Sequence, residues 1–398
     1  MSSPDISADE VKAVNRVMQT SYLSIGPCVD EFEDSFARFA GTRHAAAVSS
    51  GTSGLHMCVI AAGVSEGDVV LTTPFSFVAS ANVMLYERAI PLFLDVDPNT
   101  LNIDPALVEE AVFDICQRRD SADRWFAPHL RGQSLELSRG KLKAILPIHA
   151  FGQPADMATI LRVAREHGLF VIEDACEATG AEYNGHKVGT QSDAAVFAFY
   201  PNKQMTTGEG GMIVTNRDGW DTLFRSLRNQ GRDVFDAWLN HSRLGYNYRM
   251  DEMSAALGLA QLTRVEELLS KRQQVAEWYN HRLSGMDGVE VPHIAPSTTR
   301  MSWFVYVVRL APGLDRGAVM SALEESGIPS RPYFSPIHLQ PFYRERFGYR
   351  EGDFPVTEMA GRVCLALPFS GIMTEEQVHY VCQKLDAVLK QHLLRVKL

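Results

Sequence analysis

Residues 142–175 read LKAILPIHAFGQPADMATILRVAREHGLFVIEDA, which is a strand, a helix and a second strand in succession. The runs LKAILPI (142–148) and LFVIEDA (169–175) are almost wholly apolar and of strand length, as is typical of parallel strands covered on both faces. Between them, the helix-like stretch 154–167 ends at Gly168, the residue type that most often follows a helix. The pattern predicts a strand–helix–strand unit of a parallel sheet.

The same alternation continues toward the N-terminus. Two further strand-like runs alternate with two helix-like stretches: VVLTTP (69–74), IPLFLDVD (90–97), and the stretches 52–62 and 105–116. Alternating strands and helices predict an α/β fold, in which a mostly parallel sheet forms the middle of three layers.

The C-terminal part of the chain has a different order of elements. It contains a long helix-like segment, a strand-like run and two further helix-like segments, at 251–282, 302–310, 315–326 and 374–393. This order predicts a smaller α+β domain. We therefore expect a large domain over 25–265 and a smaller one built from 1–24 together with 266–398. The polar stretch 118–141 interrupts the pattern and is expected to be either a flap over the site or a solvated loop.

The composition excludes several classes of function. The chain has 398 residues, of which 45% are hydrophobic, and a formal net charge of -10, whereas nucleic-acid binding requires a basic face. No stretch approaches the roughly 18 apolar residues of a membrane span. The N-terminal MSSPDISADE lacks the regions of a secretory signal, so we expect a cytoplasmic protein without membrane or nucleic-acid partners. The six cysteines are scattered without a C-x-x-C pair, and we expect no metal site.

Three segments carry groups that suit one chemistry. Asp174 ends a predicted strand, so its carboxylate is expected at the carboxyl edge of the sheet, where open α/β folds bind ligands. The segment SSGTSG (49–54) lies between a short strand and a helix, and a helix N-terminus binds phosphate through its free N–H groups. Lys203 lies between two strand-like runs in AVFAFYPNKQMTTGEGGMIVT (195–215), where burial and nearby cations can make an amine nucleophilic.

Each of these features alone is also compatible with a structural role, as a solvated aspartate, a helix N-cap or a structural lysine. Together they supply what a pyridoxal phosphate (PLP) enzyme needs: a lysine for the Schiff base, an acid for the pyridine nitrogen and an anion site for the phosphate. The combination therefore favours a PLP enzyme over the single structural explanations.

Eight blocks of the sequence occur in the order of one known family, between about residues 20 and 345. They are SSGTSGLHM (49–57), TPFSFVASAN (73–82), PLFLDVD (91–97), LPIHAFGQPADM (146–157), VIEDACEATGAEYNGHKVGT (171–190), FYPNKQMTTGEGG (199–211), GYNYRMDEMSAALGLAQL (245–262) and PIHLQPFY (336–343). In these blocks the chain resembles the DegT/DnrJ/StrS-type sugar aminotransferases, a branch of the fold-type I (aspartate aminotransferase-like) PLP enzymes. The resemblance implies a PLP-transferase large domain, with pyridoxal 5'-phosphate as cofactor and pyridoxamine 5'-phosphate (PMP) as its form between the half-reactions.

The resemblance also implies a role for each site residue. Lys203 would form the Schiff base and move protons, Asp174 would pair with the pyridine nitrogen, and Phe77 would stack on the ring. The other implied contacts are those of Gly51, Thr52 and Ser53 with the phosphate, of Asn247 with the phosphate of the neighbouring subunit, of Arg249 with the donor carboxylate or the sugar diphosphate, and of Tyr200, Tyr333 and His338 with the sugar. Phe77 and the last three residues are also compatible with simple packing. Because Asn247 would cross between subunits, a homodimer with shared active sites is expected.

Two positions depart from the family pattern. Many relatives have serine five residues before the lysine, but this chain has Ala198. Phosphate binding is then expected to depend on residues 51–53 and on the partner subunit's Asn247, or on a water molecule. Three residues after the aspartate, where relatives commonly have Gln or His, this chain has Glu177, and we expect it within reach of the phenolic oxygen of the cofactor.

The activity implied by the resemblance is transamination in two halves. An amino acid, expected to be L-glutamate, would give its amino group to the cofactor, which would pass it to a nucleotide-linked keto sugar, expected at C4 of a 4-keto-6-deoxyhexose rather than at C3. Sugar dehydratases of the family carry His in place of the lysine, so Lys203 disfavours that alternative. An aminotransferase for a cyclitol ketone, or another fold-type I activity such as a lyase, would share the fold. A non-catalytic regulatory homologue would not need the complete set of lysine, aspartate and phosphate-binding turn.

Overall fold

The computed structural model describes residues 2–132, 141–233 and 240–396. Its strands, in chain order, are β1 (His44–Val48), β2 (Val69–Thr72), β3 (Ile90–Phe93), β4 (Leu142–Ile145), β5 (Phe170–Asp174), β6 (Glu182–Tyr183), β7 (His186–Lys187), β8 (Ala194–Ala198), β9 (Gly211–Thr215), β10 (Val289–Glu290), β11 (Thr298–Arg300), β12 (Tyr306–Leu310), β13 (Arg331–Pro332) and β14 (Cys364–Leu367).

The helices lie mostly between these strands. They are α1 (Ala8–Met18), α2 (Pro27–Ala40), α3 (Gly51–Ala61), α4 (Ala79–Tyr86), α5 (Pro105–Cys116), α6 (Met157–His167), α7 (Asp218–Arg228), α8 (Glu252–Thr263), α9 (Val265–Leu283), α10 (Arg316–Glu325), α11 (Pro341–Phe347), α12 (Pro355–Val363) and α13 (Glu375–Val396). Among the described residues, no helix combines the length and the apolar character needed to cross a membrane.

The predicted mostly parallel sheet is confirmed. Seven strands pair in the order β1-β9-β8-β5-β4-β2-β3, and every neighbouring pair is parallel except the two made by β9. Alternate residues of β1 point to opposite faces: Ala45 and Ala47 pack into the core beneath α2 and α8, whereas Ala46 and Val48 pack beneath α3 and α7. The sheet is therefore the middle layer of an α/β fold, as the uniformly apolar strands predicted.

The strand–helix–strand unit of residues 142–175 forms β4, α6 and β5. Gly168 ends α6 in the left-handed conformation, with its N–H bonded to the carbonyl of Ala164. This is the glycine termination that the sequence predicted. Because β4 and β5 are parallel neighbours, their carboxyl ends lie at the same edge of the sheet, and Asp174 is the last residue of β5.

The single helix expected over 251–282 is wrong, because the segment forms two helices, α8 and α9. Arg264 separates them with φ -111 and ψ 7, outside the helical range. Its guanidinium donates to Asp5, Glu10 and Glu267. Two of these acceptors, Asp5 and Glu10, lie in the N-terminal segment, and their contacts favour a break at Arg264. The sequence pattern within 251–282 carries no information on these distant partners.

The described part of the polar insertion packs against α5. This part forms two short 3-10 turns, at 120–125 and 128–130. Trp125 donates from Nε1 to Asp114 of α5 at 3.0 Å, and Phe126 is buried. These contacts make residues 118–132 a packed segment of the domain, and residues 133–140 lie outside the described residues.

The C-terminal part has its own core around an antiparallel sheet in the order β10-β12-β14-β13. Helices α9, α10 and α13 pack on this sheet through apolar side chains such as Tyr279, Leu323 and Leu385. Helix α1 lies against α8, where Gln261 donates to Glu10 at 2.8 Å. The division into 25–265 and 1–24 with 266–398 remains our proposal for the domain boundaries.

Candidate functional site

The three segments expected to form the site meet at the carboxyl edge of the large sheet. Asp174 ends β5, Lys203 lies in the connection from β8 to β9, and α3 begins directly after β1. The start of β9 packs closely against the start of α3. A Cβ atom added to Gly211, the first residue of β9, would lie only 2.8 Å from the amide nitrogen of Gly51. Residues far apart in the sequence therefore lie close together at this edge of the sheet.

The carboxylate of Asp174 is buried and held in a fixed orientation. Its Oδ2 accepts the hydroxyl of Ser80 at 2.7 Å, and its Oδ1 accepts the N–H of Cys176 at 3.2 Å. An ionised carboxylate has about four acceptor positions, so it retains capacity for a third donor such as a protonated ring nitrogen. Ser80 is a supporting residue that the sequence analysis missed, although it lies in the TPFSFVASAN block.

The start of α3 offers unpaired amides. Ser50 caps the helix, and its Oγ accepts the N–H of Ser53 at 3.1 Å. The amides of Gly51 and Thr52 have no acceptor among the described residues. Two free N–H groups at the positive end of a helix form a site for a phosphate. Ser53 was expected to contact the phosphate, but in this structure its polar groups bind Ser50. Its amide donates to Oγ of Ser50, and its hydroxyl donates to the carbonyl of Ser50.

Gly51 is required at this turn by the lack of space. A Cβ atom at this position would lie 2.7 Å from Sγ of Cys176 and 2.9 Å from Cβ of Ala198. Ala198 therefore packs directly under the phosphate turn. Its hydroxyl-free side chain contributes shape here and no donor.

Lys203 carries its amine between a carboxylate and an aromatic face. Nζ lies 3.6 Å from Oε1 of Glu177 and 3.8 Å from the centroid of the Phe304 ring. Burial raises the pKa of Glu177, and the positive charge of Lys203 opposes this rise. Glu177 also accepts the N–H of Phe151 at 2.9 Å. The expected contact of Glu177 with the phenolic oxygen stays a prediction.

Phe77 is exposed at the mouth of a cleft. Its side chain is 65% exposed, which is unusual for a residue type that is normally buried. The cleft has a volume of about 860 Å³, and Tyr86, Phe342 and Arg346 line it together with Phe77. These three lining residues were not predicted; the only signal was the PIHLQPFY block, which contains Phe342.

Tyr333 and Tyr200 lie near the amine. Burial raises the pKa of Tyr333 to about 12, with a further contribution from the charge of Glu177. The ring of Tyr333 lies 6.3 Å from that of Phe304. Tyr200 is half exposed and accepts the N–H of Lys203 at 2.9 Å. Tyr333 thus lies beside the aromatic face that the amine contacts, whereas Tyr200 is joined to Lys203 through its backbone, and the contacts of both with a sugar remain proposals.

His338, expected either to contact the sugar or to be a packing residue, lies in the core. Its side chain is fully buried, with Nε2 at 3.1 Å from Glu358 and the ring 4.7 Å from that of Phe354. Burial lowers the pKa of His338, although Glu358 opposes this effect. This burial favours a packing role, and the contact of His338 with the sugar stays a prediction.

Asn247 and Arg249 lie on a segment that runs beside the start of α3. The carbonyl of Tyr248 accepts the N–H of Ser49 at 2.8 Å. Asn247 itself is exposed, and Arg249 donates to Asn229 at 3.1 Å. The exposure of Asn247 leaves it free to reach a second subunit, which stays a prediction.

These residues fit PLP. Backbone amides at Gly51 and Thr52 match its phosphate, the fixed carboxylate of Asp174 matches its ring nitrogen, and the exposed face of Phe77 matches its ring. The amine of Lys203 lies among these groups and is the one described amine that the site offers for a Schiff base. No part of this set conflicts with the cofactor.

Comparison with known proteins shows a similarity to aminotransferases over nearly the whole chain. The family model described as the DegT/DnrJ/EryC1/StrS aminotransferase family matches residues 4–386. The GDP-perosamine synthase of Caulobacter vibrioides is 38% identical over 393 residues, 98% of each chain. The spore coat polysaccharide biosynthesis protein SpsC of Bacillus subtilis is 34% identical over 403 residues, 98% of this chain and 96% of that protein. The crystal structure of DesV from S. venezuelae is similar with a TM-score of 0.84 and 30% identity, covering 96% of this chain and 94% of DesV.

Proposed function

The chain belongs to the DegT/DnrJ/EryC1/StrS aminotransferase family, and we propose that it transfers the amino group of L-glutamate to C4 of a nucleotide-linked keto-deoxysugar. It is a PLP-dependent sugar aminotransferase; the donor, the carbon atom and the nucleotide are the proposed parts. The observation that carries the proposal is the amine of Lys203, held 3.6 Å from Glu177 at the same edge of the sheet as Asp174 and the start of α3. A dehydratase of this family would carry His at this position.

The protein residues divide the work of transamination. When bound, PLP supplies an electron sink for the carbanion at the amine-bearing carbon. Asp174, held by Ser80, would keep a proton on the pyridine nitrogen. Lys203 would move a proton at its Nζ atom between the substrate carbon and the cofactor carbon. Glu177 lies next to Nζ and is placed to hold or receive a proton there.

The cleft beside Phe77 is the proposed place for the sugar nucleotide. Arg346 offers a cation for the diphosphate, while Tyr86 and Phe342 offer aromatic faces for the base. The relative that is 38% identical is named GDP-perosamine synthase, which supports a GDP-linked keto sugar as the first substrate to test. Arg249 would provide a second positive charge, for the donor carboxylate or for the diphosphate.

The activity is tested in two half-reactions. We expect L-glutamate to bleach the absorbance of the PLP form, and a GDP-linked 4-keto-6-deoxy sugar to restore it. A parallel set of 3-keto sugars, other nucleotides and cyclitol ketones determines the class and the carbon. The Lys203→Ala variant should retain the fold but lose turnover. Restoration only by a 3-keto sugar or only by a cyclitol ketone would refute the proposed substrate, and full turnover by Lys203→Ala would refute the role of the lysine.

A homodimer with shared sites is part of the proposal. Leu244 is 82% exposed and lies three residues before Asn247, which supports a contact surface at this segment. A mixture of Lys203→Ala and Asn247→Ala proteins tests the sharing. If Asn247 acts across the dimer, each mixed dimer regains one complete site and activity returns on mixing. If Asn247 acts within its own subunit, mixing restores nothing.

A further inference from the structure

Arg272 of α9 is a buried cation next to the connection from β8 to β9 (residues 199–210), which contains Lys203 and is called the lysine loop below. Its side chain is buried, and it has no carboxylate partner among the described residues. Nη1 donates to the carbonyls of Trp303 and Phe304 at 3.3 and 3.1 Å. Nη2 donates to the carbonyls of Asn202 and Lys203 at 3.3 and 2.7 Å. Removing a charge from water is costly unless hydrogen bonds compensate, so these four carbonyls account for its retention there.

The four carbonyls belong to the two segments that surround the amine. Asn202 and Lys203 lie in the connection from β8 to β9, whereas Trp303 and Phe304 lead into β12. The ring of Phe304 is the surface on which Nζ of Lys203 rests, at 3.8 Å. One guanidinium therefore fixes the backbone of the lysine relative to the aromatic face beneath its amine.

The neighbouring Gln204 reinforces the same connection. Its Nε2 donates to the carbonyl of Glu177 and to the hydroxyl of Ser302 at 2.8 Å. The lysine loop is thus joined to the segment of Glu177 and to the strand entrance at Ser302. Burial lowers the pKa of Arg272 to about 10, which leaves its guanidinium charged at neutral pH.

We propose that Arg272 is a positioning residue for transamination, which holds Lys203 where its amine can bond to the aldehyde of PLP. This inference rests on the proposed function, and Arg272 acts through Lys203 rather than on the substrate. A planar fork with several donors can bridge two backbone segments at once, whereas a lysine at the same position cannot.

The affinities for PLP and PMP separate positioning from general stabilisation. PLP binding includes the covalent bond to Lys203, but PMP already carries an amine and binds without that bond. We expect Arg272→Gln to weaken PLP binding by about tenfold or more, as for the loss of hydrogen bonds from a charged group, and to leave PMP binding nearly unchanged. Arg272→Lys should have an intermediate effect. The matched control is Arg282→Gln on the same helix, which removes a contact with Glu375 and should not change the ratio of the two affinities.

The positioning role would be overturned if Arg272→Gln left the ratio of the PLP and PMP affinities unchanged, whether both affinities fell equally or neither fell. If Arg272→Gln and Arg272→Lys both fail to fold, Arg272 is a folding residue and the proposal is also overturned. The assay uses the cofactor forms alone and needs no sugar. A failure of the sugar screen with the expected affinity ratio would therefore refute the proposed substrate while leaving the role of Arg272 intact.

Discussion

The phosphate turn can be tested by adding one methyl group. Gly51→Ala places Cβ 2.7 Å from Sγ of Cys176 and 2.9 Å from Cβ of Ala198, whereas ordinary contacts of such atoms are about 3.5–4 Å. Each contact is therefore too short by roughly 1 Å, and overpacking of this kind costs about 1–3 kcal/mol. The turn can relieve the contacts only by moving the amides of Gly51 and Thr52. We expect the cost to be divided between lower stability and weaker phosphate binding.

The assay measures both parts. Urea midpoints of the cofactor-free protein report stability, and titration with PMP reports the phosphate site without the bond to Lys203. Cys176→Ala removes the nearer clashing atom, so the double variant should recover part of the loss, with a coupling of about 0.5 kcal/mol or more. The control is Gly219→Ala in the first turn of α7, where an added Cβ would have no neighbour within 4 Å.

The control should be neutral or slightly stabilising, since alanine is favoured over glycine in a helix by about 0.5–1 kcal/mol. If Gly51→Ala matches the parent in both the urea midpoint and PMP affinity, the turn is not as closely packed as the geometry indicates. If the loss is full but Cys176→Ala shows no coupling, the short contact with Sγ is not its cause. Either result would refute the argument from space.

Three further predictions concern the neighbours of the cofactor. Ser80→Ala removes the 2.7 Å hydrogen bond to Asp174 and should lower kcat/KM by about tenfold or more, the value of a bond to a charged group, while near-wild-type turnover would show that the aspartate needs no such support. Phe77→Ala should leave the thermal midpoint of the cofactor-free protein almost unchanged, because the ring is 65% exposed, but should weaken PMP binding by about 0.5–1.5 kcal/mol; a large loss of stability would contradict this. Burial raises the pKa of Glu177, so the folded protein favours the protonated form of this side chain. The resulting contribution to the free energy of unfolding is fully present below the ordinary pKa of a carboxyl group. It is lost as the pH rises from that value through the raised pKa. Glu177→Gln should therefore gain urea stability relative to the parent as pH rises through that interval, and a constant difference at all pH values would refute it.

The layered fold was predictable because its signals are local. Apolar strand-length runs and a terminating Gly168 lie within short windows, and the structure confirms β4, α6 and β5 where they were expected. The break at Arg264 was not predictable in this way, because the carboxylates that bind its guanidinium include Asp5 and Glu10, about 250 residues earlier in the chain. Local periodicity reports which face of a helix is apolar, and it carries no information on ion pairs of that separation.

The site shows the same division between local and distant signals. Lys203, Asp174 and the turn at Gly51 could be proposed from the sequence because residue type and motif order mark them. Their supports were missed, since neither Ser80 nor Arg272 differs in type from any ordinary polar residue of a helix. What distinguishes them is burial next to a particular acceptor, and burial of a polar side chain depends on the assembled fold.

The replacement of the family serine by Ala198 illustrates how such supports can compensate for one another. Serine at this position would place a hydroxyl under the phosphate turn, whereas here Cβ of Ala198 lies so close to Gly51 that a Cβ added at residue 51 would come within 2.9 Å of it. The start of α3 carries its own polar groups, with the hydroxyls of Ser49 and Ser50 at 3.2 and 3.1 Å from that of Ser53. These hydroxyls hold the cap and leave two amides unpaired. We therefore expect phosphate binding to depend on the helix terminus rather than on a side chain of β8.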